Sequence, residues 1–256
     1  MGTAELAMGK ADLHIHSTAG DGLASVAEIL EHVETETELD LIAITDHDLL
    51  EGSLEAADRT RERDYRFQVI SGMEVTTRGG HLLAYDIQEK IPMLQSLADT
   101  IAAVHRQGGF CIIPHPMSWL IWSIGRRRIR AVLRDPREEI SFDGIEILNP
   151  TSAGWVVHQS VREANAREFH LSEVAGSDAH LLSQIGRGYT AFPGSSTGDF
   201  RAALAARTTE AHGEFLSVSE QAVSLSAAGR QLFRGLVLLP GKHLRRAARG
   251  LMQDRG

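Results

Sequence analysis

The chain carries the sequence Asp12-Leu13-His14-Ile15-His16-Ser17 near its start and Gly176-Ser177-Asp178-Ala179-His180 far downstream. Side chains of a strand alternate between its two faces, so the two histidines of the first stretch point the same way. The leucine and isoleucine beside them then point into apolar packing. The aspartate and histidine of the second stretch repeat this spacing. Imidazole and carboxylate groups suit zinc, manganese or iron, so the two pairs predict a metal site at the ends of strands.

The composition is that of an ordinary globular protein. The chain has 256 residues, of which 43% are hydrophobic and 23% are charged, and this length suits one large domain such as an α/β barrel. Cys111 is the single cysteine, so no intrachain disulfide can form. The start of the chain carries no long apolar run, and no stretch of 18 or more apolar residues occurs. We therefore expect a cytoplasmic protein without a signal peptide or a transmembrane segment.

Charge is unevenly distributed along the chain. The net charge is -8, but the segment from Ser226 onward has seven basic residues against one acidic residue, a net charge of +6 that leaves -14 for residues 1–225. Proteins that bind duplex DNA normally show a basic footprint, so the main body is not expected to bind it. An acidic pocket that is neutralised by bound cations would explain part of the negative balance.

Short apolar runs alternate with amphipathic segments. Ser25 and Glu28 form a capping box that opens a helix through residue 32, and further helices are predicted within 94–107, 150–169 and 197–207. The alternation predicts a parallel sheet, either closed into a barrel or open. The runs predicted to be buried strands are 11–15, 41–45, 67–71, 82–85, 110–114, 144–148 and 173–176.

Polar clusters follow these runs at their C-terminal ends. They are His14 with His16, Asp46-His47-Asp48, Glu74, His115, and Asp178 with His180. His81 instead opens a run. In a βα barrel the active site lies at the C-terminal ends of the strands, so these side chains predict a site at that rim.

The chain carries a set of short motifs in a fixed order. The motifs are Asp-Leu-His-Ile-His-Ser at 12–17, Asp-Gly at 21–22, Ile-Thr-Asp-His at 44–47, Gly-Met-Glu at 72–74, Gly-His at 80–81, Pro-His-Pro at 114–116 and Gly-Ser-Asp-Ala-His at 176–180. In combination, they resemble the motifs of the PHP (polymerase and histidinol phosphatase) family, over roughly residues 11 to 195. The chain is similar to the short, stand-alone metal-dependent phosphoesterases of that family.

The resemblance implies a distorted (β/α)7 TIM-like barrel over residues 11–212, followed by a C-terminal extension, 213–256, with a basic amphipathic tail. It also implies two or three divalent ions, of manganese, iron or zinc. The first ion would be held by His14, His16, Glu74 and Asp178. Glu74 would bridge to a second ion that is completed by His81 and His115. The third ion would be held by Asp21, His47 and His180.

The chemistry of such a site favours phosphate ester hydrolysis. Divalent ions can clamp a phosphate, and they lower the pKa of a bound water toward about 7, which supplies hydroxide at neutral pH. The expected enzyme hydrolyses a small phosphomonoester, a nucleotide or a sugar phosphate. The alternatives are a histidinol-phosphate phosphatase, a nuclease that acts on the 5′ or 3′ ends of short oligonucleotides, and a non-catalytic metal-binding module.

Other side chains are candidates for supporting roles. Asp46 or Asp48 could protonate the leaving group, although Asp46 is expected to orient a ligand imidazole. Arg187 is a candidate phosphate ligand because it follows the last ligand pair between two glycines. Glu146 and Asn149 also follow an apolar run, where Asn149 could equally cap the next helix.

Three surface features leave alternatives open. Trp119 and Trp122 could stack on a nucleobase or pack in a helix. The arginines at 126–128 and 130 could grip a phosphate or form a solvated helix face. The basic tail could contact an anionic surface or a partner, or dock on the domain as a helix.

Overall fold

The computed structural model of the protein describes residues 7–222. A first compact unit ends at Leu216, and a second unit begins at Ser217. The predicted domain end at residue 212 falls inside a strand of the first unit. The predicted amphipathic tail lies outside the described residues. No helix among residues 7–222 has the length and apolar character needed to span a membrane.

The first unit alternates strands with helices. Its strands are β1 (Met8–Ile15), β2 (Leu41–Ile44), β3 (Gln68–Val69), β4 (Gly72–Thr77), β5 (Gly80–Tyr85), β6 (Phe110–Ile113), β7 (Gly144–Leu148), β8 (Ser172–Ala175), β9 (Gly188–Pro193) and β10 (Glu210–Gly213). Its helices are α1 (Val26–Glu36), α2 (Glu51–Glu62), α3 (Leu97–Arg106), α4 (Arg126–Leu133), α5 (Ser152–Trp155), α6 (His158–Ala164) and α7 (Thr197–Ala206). A π-helical turn (Asn165–Phe169) follows α6, and a 3-10 turn (Leu182–Gln184) precedes β9.

The strands form two five-stranded mixed sheets, in the orders β10-β9-β1-β2-β3 and β4-β5-β6-β7-β8. The α/β class is therefore confirmed. The prediction of a purely parallel sheet is wrong, because β9 pairs antiparallel with β1 and β10, and β5 pairs antiparallel with β4 and β6. The two-residue connection between β4 and β5 permits only antiparallel pairing, since a parallel pair needs a long crossover. The pairing of the described strands leaves two sheets and does not close them into one barrel.

The two sheets meet through isolated parallel bridges at the ends of β1 and β2. One bridge pairs Ile15 with Ala179, and the other pairs His47 with Glu74. Around them, the His16 N–H donates to the Ala179 carbonyl (2.8 Å) and the Asp48 N–H donates to the Glu74 carbonyl (2.8 Å). The segments that carry the polar motifs are thereby drawn to the same end of both sheets.

Apolar burial holds the two sheets together. Leu13, Tyr85 and Phe192 belong to one buried cluster with members from both sheets, and burying each such side chain contributes about 1.5–3 kcal/mol. The Tyr85 hydroxyl also donates to the Leu13 carbonyl across the sheets (2.8 Å). Leu13 and Ile15 are buried, as the alternation within β1 predicts.

Local signals predicted some elements better than others. The capping box of Ser25 and Glu28 is present at the start of α1, where each residue bonds the backbone of the other. The strands β4, β9 and β10 and the helix α2 were not predicted. The predicted strand at 67–71 is only the two-residue β3, because the chain turns at 70–71 to enter the second sheet as β4.

Candidate metal centre

β1 delivers two buried imidazoles into one polar pocket. The His14 Nδ1 donates to Glu146 Oε1 (2.8 Å), and its Nε2 lies 3.3 Å from Glu74 Oε2 and 3.5 Å from Asp178 Oδ1. A carboxylate that accepts from Nδ1 fixes the tautomer and leaves the Nε2 lone pair available to a metal. The Nε2 of His16 lies 3.3 Å from Asp178 Oδ1 and 3.4 Å from Glu74 Oε2.

Glu74, in the middle of β4, lies at the centre of the pocket. Its Oε1 is 3.0 Å from His81 Nδ1 and 3.0 Å from His115 Nε2. Its Oε2 is 3.3–3.4 Å from nitrogens of His14, His16 and His47. A carboxylate that faces five imidazoles with both oxygens could contribute one oxygen to each of two ions.

A third part of the pocket comes from three loops, those after β1, β2 and β8. Asp21 Oδ2 lies 3.1 Å from His180 Nε2 and 4.0 Å from His47 Nε2, and Asp21 Oδ1 lies 3.4 Å from His16 Nδ1. His180 donates from Nδ1 to the Asp178 carbonyl (3.0 Å), so its other nitrogen is directed at Asp21.

The structure thus brings together all nine residues that the resemblance implies as metal ligands. Four overlapping triads have ligand atoms within 4.8 Å of one another: His14, His16 and Asp178; His14, Glu74 and His115; His16, Asp21 and His180; and His16, His47 and Glu74. His47 is grouped with His16 and Glu74 in these triads, whereas the resemblance places it with Asp21 and His180.

The donor set fits divalent ions. Both ring nitrogens of His16 are buried and have no hydrogen-bond partner among the described residues, although each lies within 3.4 Å of a carboxylate oxygen. A buried polar atom without a partner is costly, and a metal ion would satisfy these atoms. Imidazole nitrogens and carboxylate oxygens together suit zinc, manganese or iron.

The pKa values reflect this crowding of opposite charges. Burial would raise the pKa of Glu74, but the surrounding imidazoles, His47 and His14 foremost, outweigh it and hold that pKa well below its usual range. The pKa of Asp178 is likewise held far down, against its burial, by His14 and His16. Burial would lower the pKa of His180, but the hydrogen bond with Asp21 raises it to about 9. Such a site releases protons when ions bind, because ligand imidazoles must be neutral.

Side chains outside the nine orient the ligands. Glu146 on β7 holds His14 through Oε1 and accepts the His115 backbone N–H through Oε2 (2.7 Å). Asn149 donates to Asp178 Oδ2 (3.3 Å) and to Glu146, while its Oδ1 accepts from Thr151 next to α5. The sequence placed both residues at a strand end and left open whether Asn149 caps the next helix; the N-cap of α5 is Thr151.

Ser123 is an orienting residue that sequence reasoning missed. Its hydroxyl donates to the His115 carbonyl (2.9 Å), so it can only accept from the His115 Nδ1 (3.1 Å). This directs the other nitrogen of His115 toward Glu74. A serine eight residues after the histidine, in a loop, carries no pattern that could have identified it.

Two buried aspartates secure the loops that carry ligands. Asp12 accepts from the backbone N–H groups of Ser177 (3.0 Å) and Gly186 (2.8 Å), and burial raises its pKa to about 6. Asp46 accepts from the Ser17 N–H and hydroxyl (2.6 Å each), and burial likewise raises its pKa to about 6. The sequence predicted that Asp46 orients a ligand imidazole, but its hydrogen bonds go to Ser17 instead.

The remaining candidates lie at the edges of the site. Asp48 accepts the Thr76 N–H (2.8 Å) and so aligns β4 beside His47. Arg187 is half-buried just before β9, where its N–H donates to the Gln184 carbonyl (3.0 Å). Because β9 runs antiparallel to β1, Arg187 lies toward the end of the sheet at which β1 delivers its histidines.

Two ligands adopt backbone conformations that sequence patterns do not reveal. Asp178 has φ 52° and His115 has φ 28°, in the left-handed region that few residues other than glycine enter. Such conformations persist only where the surrounding structure imposes them. The contacts of Glu146, Asn149 and Ser123 provide that constraint here.

Comparisons with known proteins show what the chain is similar to. A family model described as PHP-associated matches residues 162–209. The chain is similar in structure to a two-domain protein from Bacteroides vulgatus that contains a predicted PHP-like metal-dependent phosphoesterase, with a TM-score of 0.66 and 20% identity over 90% of this chain and 72% of that one. In fold, the chain is therefore similar to a protein that contains a PHP-like domain.

Curated relatives extend the comparison. An uncharacterized protein of Methanocaldococcus jannaschii is 29% identical over 58% of this chain and 86% of the relative. A 5′-3′ exoribonuclease of Haemophilus influenzae is 29% identical over 38% of this chain and 36% of its own length. A phosphoribosyl 1,2-cyclic phosphate 1,2-diphosphodiesterase of Eggerthella lenta is 35% identical over 34% of each.

Proposed function

We propose that this protein is a metal-dependent phosphoesterase that hydrolyses a small phosphomonoester, a nucleotide or a sugar phosphate. This class of enzyme, a hydrolase of phosphoric esters, agrees with the exoribonuclease, the diphosphodiesterase and the PHP-like structural neighbour to which the chain is similar. The observation that carries the proposal is the position of Glu74, whose two oxygens face five imidazoles while Asp178 and Asp21 flank them.

The ligands divide among two or three ions. His14, His16, Glu74 and Asp178 would hold the first, Glu74, His81 and His115 the second, and Asp21, His47 and His180 the third. When bound, the ions withdraw charge from the phosphate and lower the pKa of a coordinated water toward about 7. Manganese, iron and zinc all suit this donor set.

The chain's own groups prepare the site for this chemistry. Glu146 and Ser123 keep the Nδ1 protons on His14 and His115, so the Nε2 lone pairs stay available to bind a metal ion. Arg187 is the candidate for binding a phosphate oxygen, since a guanidinium donates two parallel hydrogen bonds. Two aspartates are candidates for supplying a proton to the leaving group. One is Asp46, whose own pKa is raised to about 6 by burial, and the other is Asp48.

A nuclease that removes nucleotides from the ends of short oligonucleotides is the second candidate. The similarity to the exoribonuclease of Haemophilus influenzae favours it. Hydrolysis of a diester uses the same ligands and differs only in the group that remains on the phosphorus.

The test is a metal analysis followed by a substrate panel. Purified protein is assayed with added manganese on nucleoside monophosphates, ribose 5-phosphate, histidinol phosphate, a phosphodiester and a short oligonucleotide. We expect two or three bound ions per chain and hydrolysis of a phosphomonoester. The Glu74→Gln variant, purified in the same way, controls for contaminating phosphatases. Bound metal without hydrolysis of any substrate would contradict the proposal and leave a metal-binding module.

A further inference from the structure

The loop between β6 and α4 is held firmly at its base. The Met117 N–H donates to the Ile124 carbonyl (3.1 Å), which closes the loop. Ser123 bonds the side chain and the carbonyl of His115. The loop therefore has a defined position beside the candidate metal centre.

The tip of this loop exposes four consecutive large apolar residues. Trp119 is 75% exposed, Leu120 43%, Ile121 39% and Trp122 55%. The alternative that Trp119 and Trp122 pack in a helix is wrong, because residues 119–122 are not helical and their side chains are exposed in the described part of the chain. A contiguous apolar patch on a well-anchored segment marks a binding surface.

The loop also forms part of the wall of the centre. The Trp122 carbonyl accepts the His81 N–H (3.0 Å), and the Trp122 indole N–H donates to the Thr77 carbonyl (2.9 Å). His81 in turn contacts Glu74. The loop therefore lies directly beside His81 and His115, two candidate ligands of the centre.

Positive charge continues directly from the patch. α4 begins at Arg126, and Arg127 and Arg128 in its first turn are exposed. Glu168 pairs with Arg126 (2.6 Å) and with Arg130, whereas no ion pair involves Arg127 or Arg128 among residues 7–222. The guanidinium groups of Arg127 and Arg128 thus follow the aromatic surface along the chain and are separate from the candidate metal ligands.

We infer that Trp119 and Trp122 stack on the bases of a short single-stranded oligonucleotide whose terminal phosphate occupies the metal centre, while Arg127 and Arg128 contact its inner phosphates. This inference rests on the proposed function, because the terminal phosphate of the oligonucleotide would be the phosphomonoester at the metal centre, and it specifies the organic group that this phosphate carries. Aromatic faces beside basic groups are the usual means of binding single strands. A mononucleotide or sugar phosphate would supply no second phosphate to the two arginines.

A membrane surface is a weaker match for this patch. The hydrogen bonds from the loop to His81 and His115 tie the patch to the candidate metal centre, which membrane docking does not require.

The experiment compares Trp119→Ala with Trp119→Phe, since this side chain is largely exposed and its loss should not disturb the fold. Binding of a fluorescently labelled single-stranded tetranucleotide is measured by anisotropy, and kcat/KM is measured on the unlabelled tetranucleotide and on ribose 5-phosphate. We expect Trp119→Ala to weaken tetranucleotide binding roughly tenfold, and Trp119→Phe to retain most of it. Ribose 5-phosphate turnover should stay within about twofold of wild type, because stacking contributes only to base-bearing substrates.

The controls separate the alternatives. Leu133→Ala, an exposed apolar truncation at the other end of α4, should bind normally. The double variant Arg127→Ala/Arg128→Ala should bind more weakly and with a shallower salt dependence.

The inference is overturned if Trp119→Ala binds the tetranucleotide as wild type does, or if it loses ribose 5-phosphate turnover to the same degree. If Trp119→Ala no longer sediments with vesicles but still binds the tetranucleotide, the patch belongs to a membrane and the inference is also overturned.

If wild type binds the tetranucleotide through Trp119 but hydrolyses no ester, the proposed function fails alone. If it hydrolyses ribose 5-phosphate but does not bind the tetranucleotide, the inference fails alone.

Discussion

At the scale of single residues, Glu74 has nitrogens of five imidazoles within 3.4 Å of its two carboxylate oxygens. It is a fully buried carboxylate whose two oxygens are shared among imidazoles from β1, β5 and the loops after β2 and β6. A buried charge is tolerated only when it is paired or coordinates a metal. The arrangement of the surrounding imidazoles therefore depends on the negative charge of Glu74 as well as on the size of its side chain.

We predict that Glu74→Gln lowers the turnover number by orders of magnitude and leaves the fold largely intact. Loss of one bridging charge weakens two metal sites, whereas apolar burial holds the sheets. Asp178→Asn should act similarly, since Asp178 faces both His14 and His16. Turnover and metal content are measured beside Glu55→Gln, an exposed glutamate on α2. Near-normal turnover of Glu74→Gln at saturating metal would remove the bridging assignment.

Gly176 lies so close to Glu146 and His14 that no side chain fits at this position. A Cβ at this position would lie 2.5 Å from Glu146 Oε1 and 2.7 Å from the His14 Cβ, so one of them would have to move. We predict that Gly176→Ala lowers metal affinity by about 10–100-fold, as disturbing a residue that orients a ligand typically does.

A competition assay with a chromogenic chelator measures that affinity. Gly198→Ala on α7 is the matched control, since the nearest atom to its Cβ would be 3.8 Å away. Equal affinities for the two variants would show that the Gly176 segment adjusts without moving His14.

At the scale of elements, the β4–β5 hairpin does most to build the site. Thr76 pairs with His81 across it, and Glu74 lies two residues earlier on β4, so both ligands arise from one tight antiparallel unit. The hairpin was not predicted because its turn, Arg78-Gly79, lacks the Asn-Gly or Asp-Gly signal. Glu74 therefore looked like the end of a parallel strand.

A second polar cluster ties α3 to the strands β6 and β7. His105 at the end of α3 lies 3.1 Å from Asp143 and donates from Nδ1 to the Glu139 carbonyl, while Asp143 also accepts the Cys111 N–H (2.8 Å). The hydrogen bond with Asp143 raises the pKa of His105 above its usual value. The pair therefore stabilises the fold while His105 is protonated.

We predict that this stabilisation is present below pH about 6.5, the usual pKa of histidine, and is lost as pH rises through the raised pKa of folded His105. His105→Gln should lower the free energy of unfolding by about 1 kcal/mol at pH 6, and the difference from wild type should shrink by pH 9. Denaturant unfolding with a chelator present measures it, and a double-mutant cycle with Asp143→Asn isolates the pair. A difference independent of pH would contradict the ionic account.

At the scale of the whole molecule, every proposed ligand lies between His14 and His180, inside the first compact unit. We predict that deletion of residues 227–256 leaves hydrolysis of a small substrate nearly unchanged. The basic residues of this segment should instead govern association with an anionic surface or partner, which salt would weaken. Turnover and sedimentation with anionic vesicles, with and without the segment, measure both effects. Loss of metal or activity on truncation would contradict its peripheral role, and equal vesicle binding would exclude a membrane role.

Much of the candidate site could be predicted because it depends on local rules. The period of a strand places His14 and His16 on one face, and the end of β8 brings Asp178 and His180 to the same rim. The groups that orient these ligands could not be predicted in the same way. Ser123, Glu146 and Asp12 act through hydrogen bonds between segments that are distant along the chain.

The sequence alone determined the α/β class, the burial of Leu13 and Ile15 in β1 and the capped start of α1, each of which depends on the chemistry or the spacing of neighbouring residues. The nine candidate metal ligands were implied by the resemblance of its motifs to those of the PHP family. Only the tertiary structure decided the division into two mixed sheets, the left-handed backbone at His115 and Asp178, and the exposure of Trp119. These depend on which distant segments pack together, and the free energy of that packing is a sum over contacts that no single stretch of sequence contains.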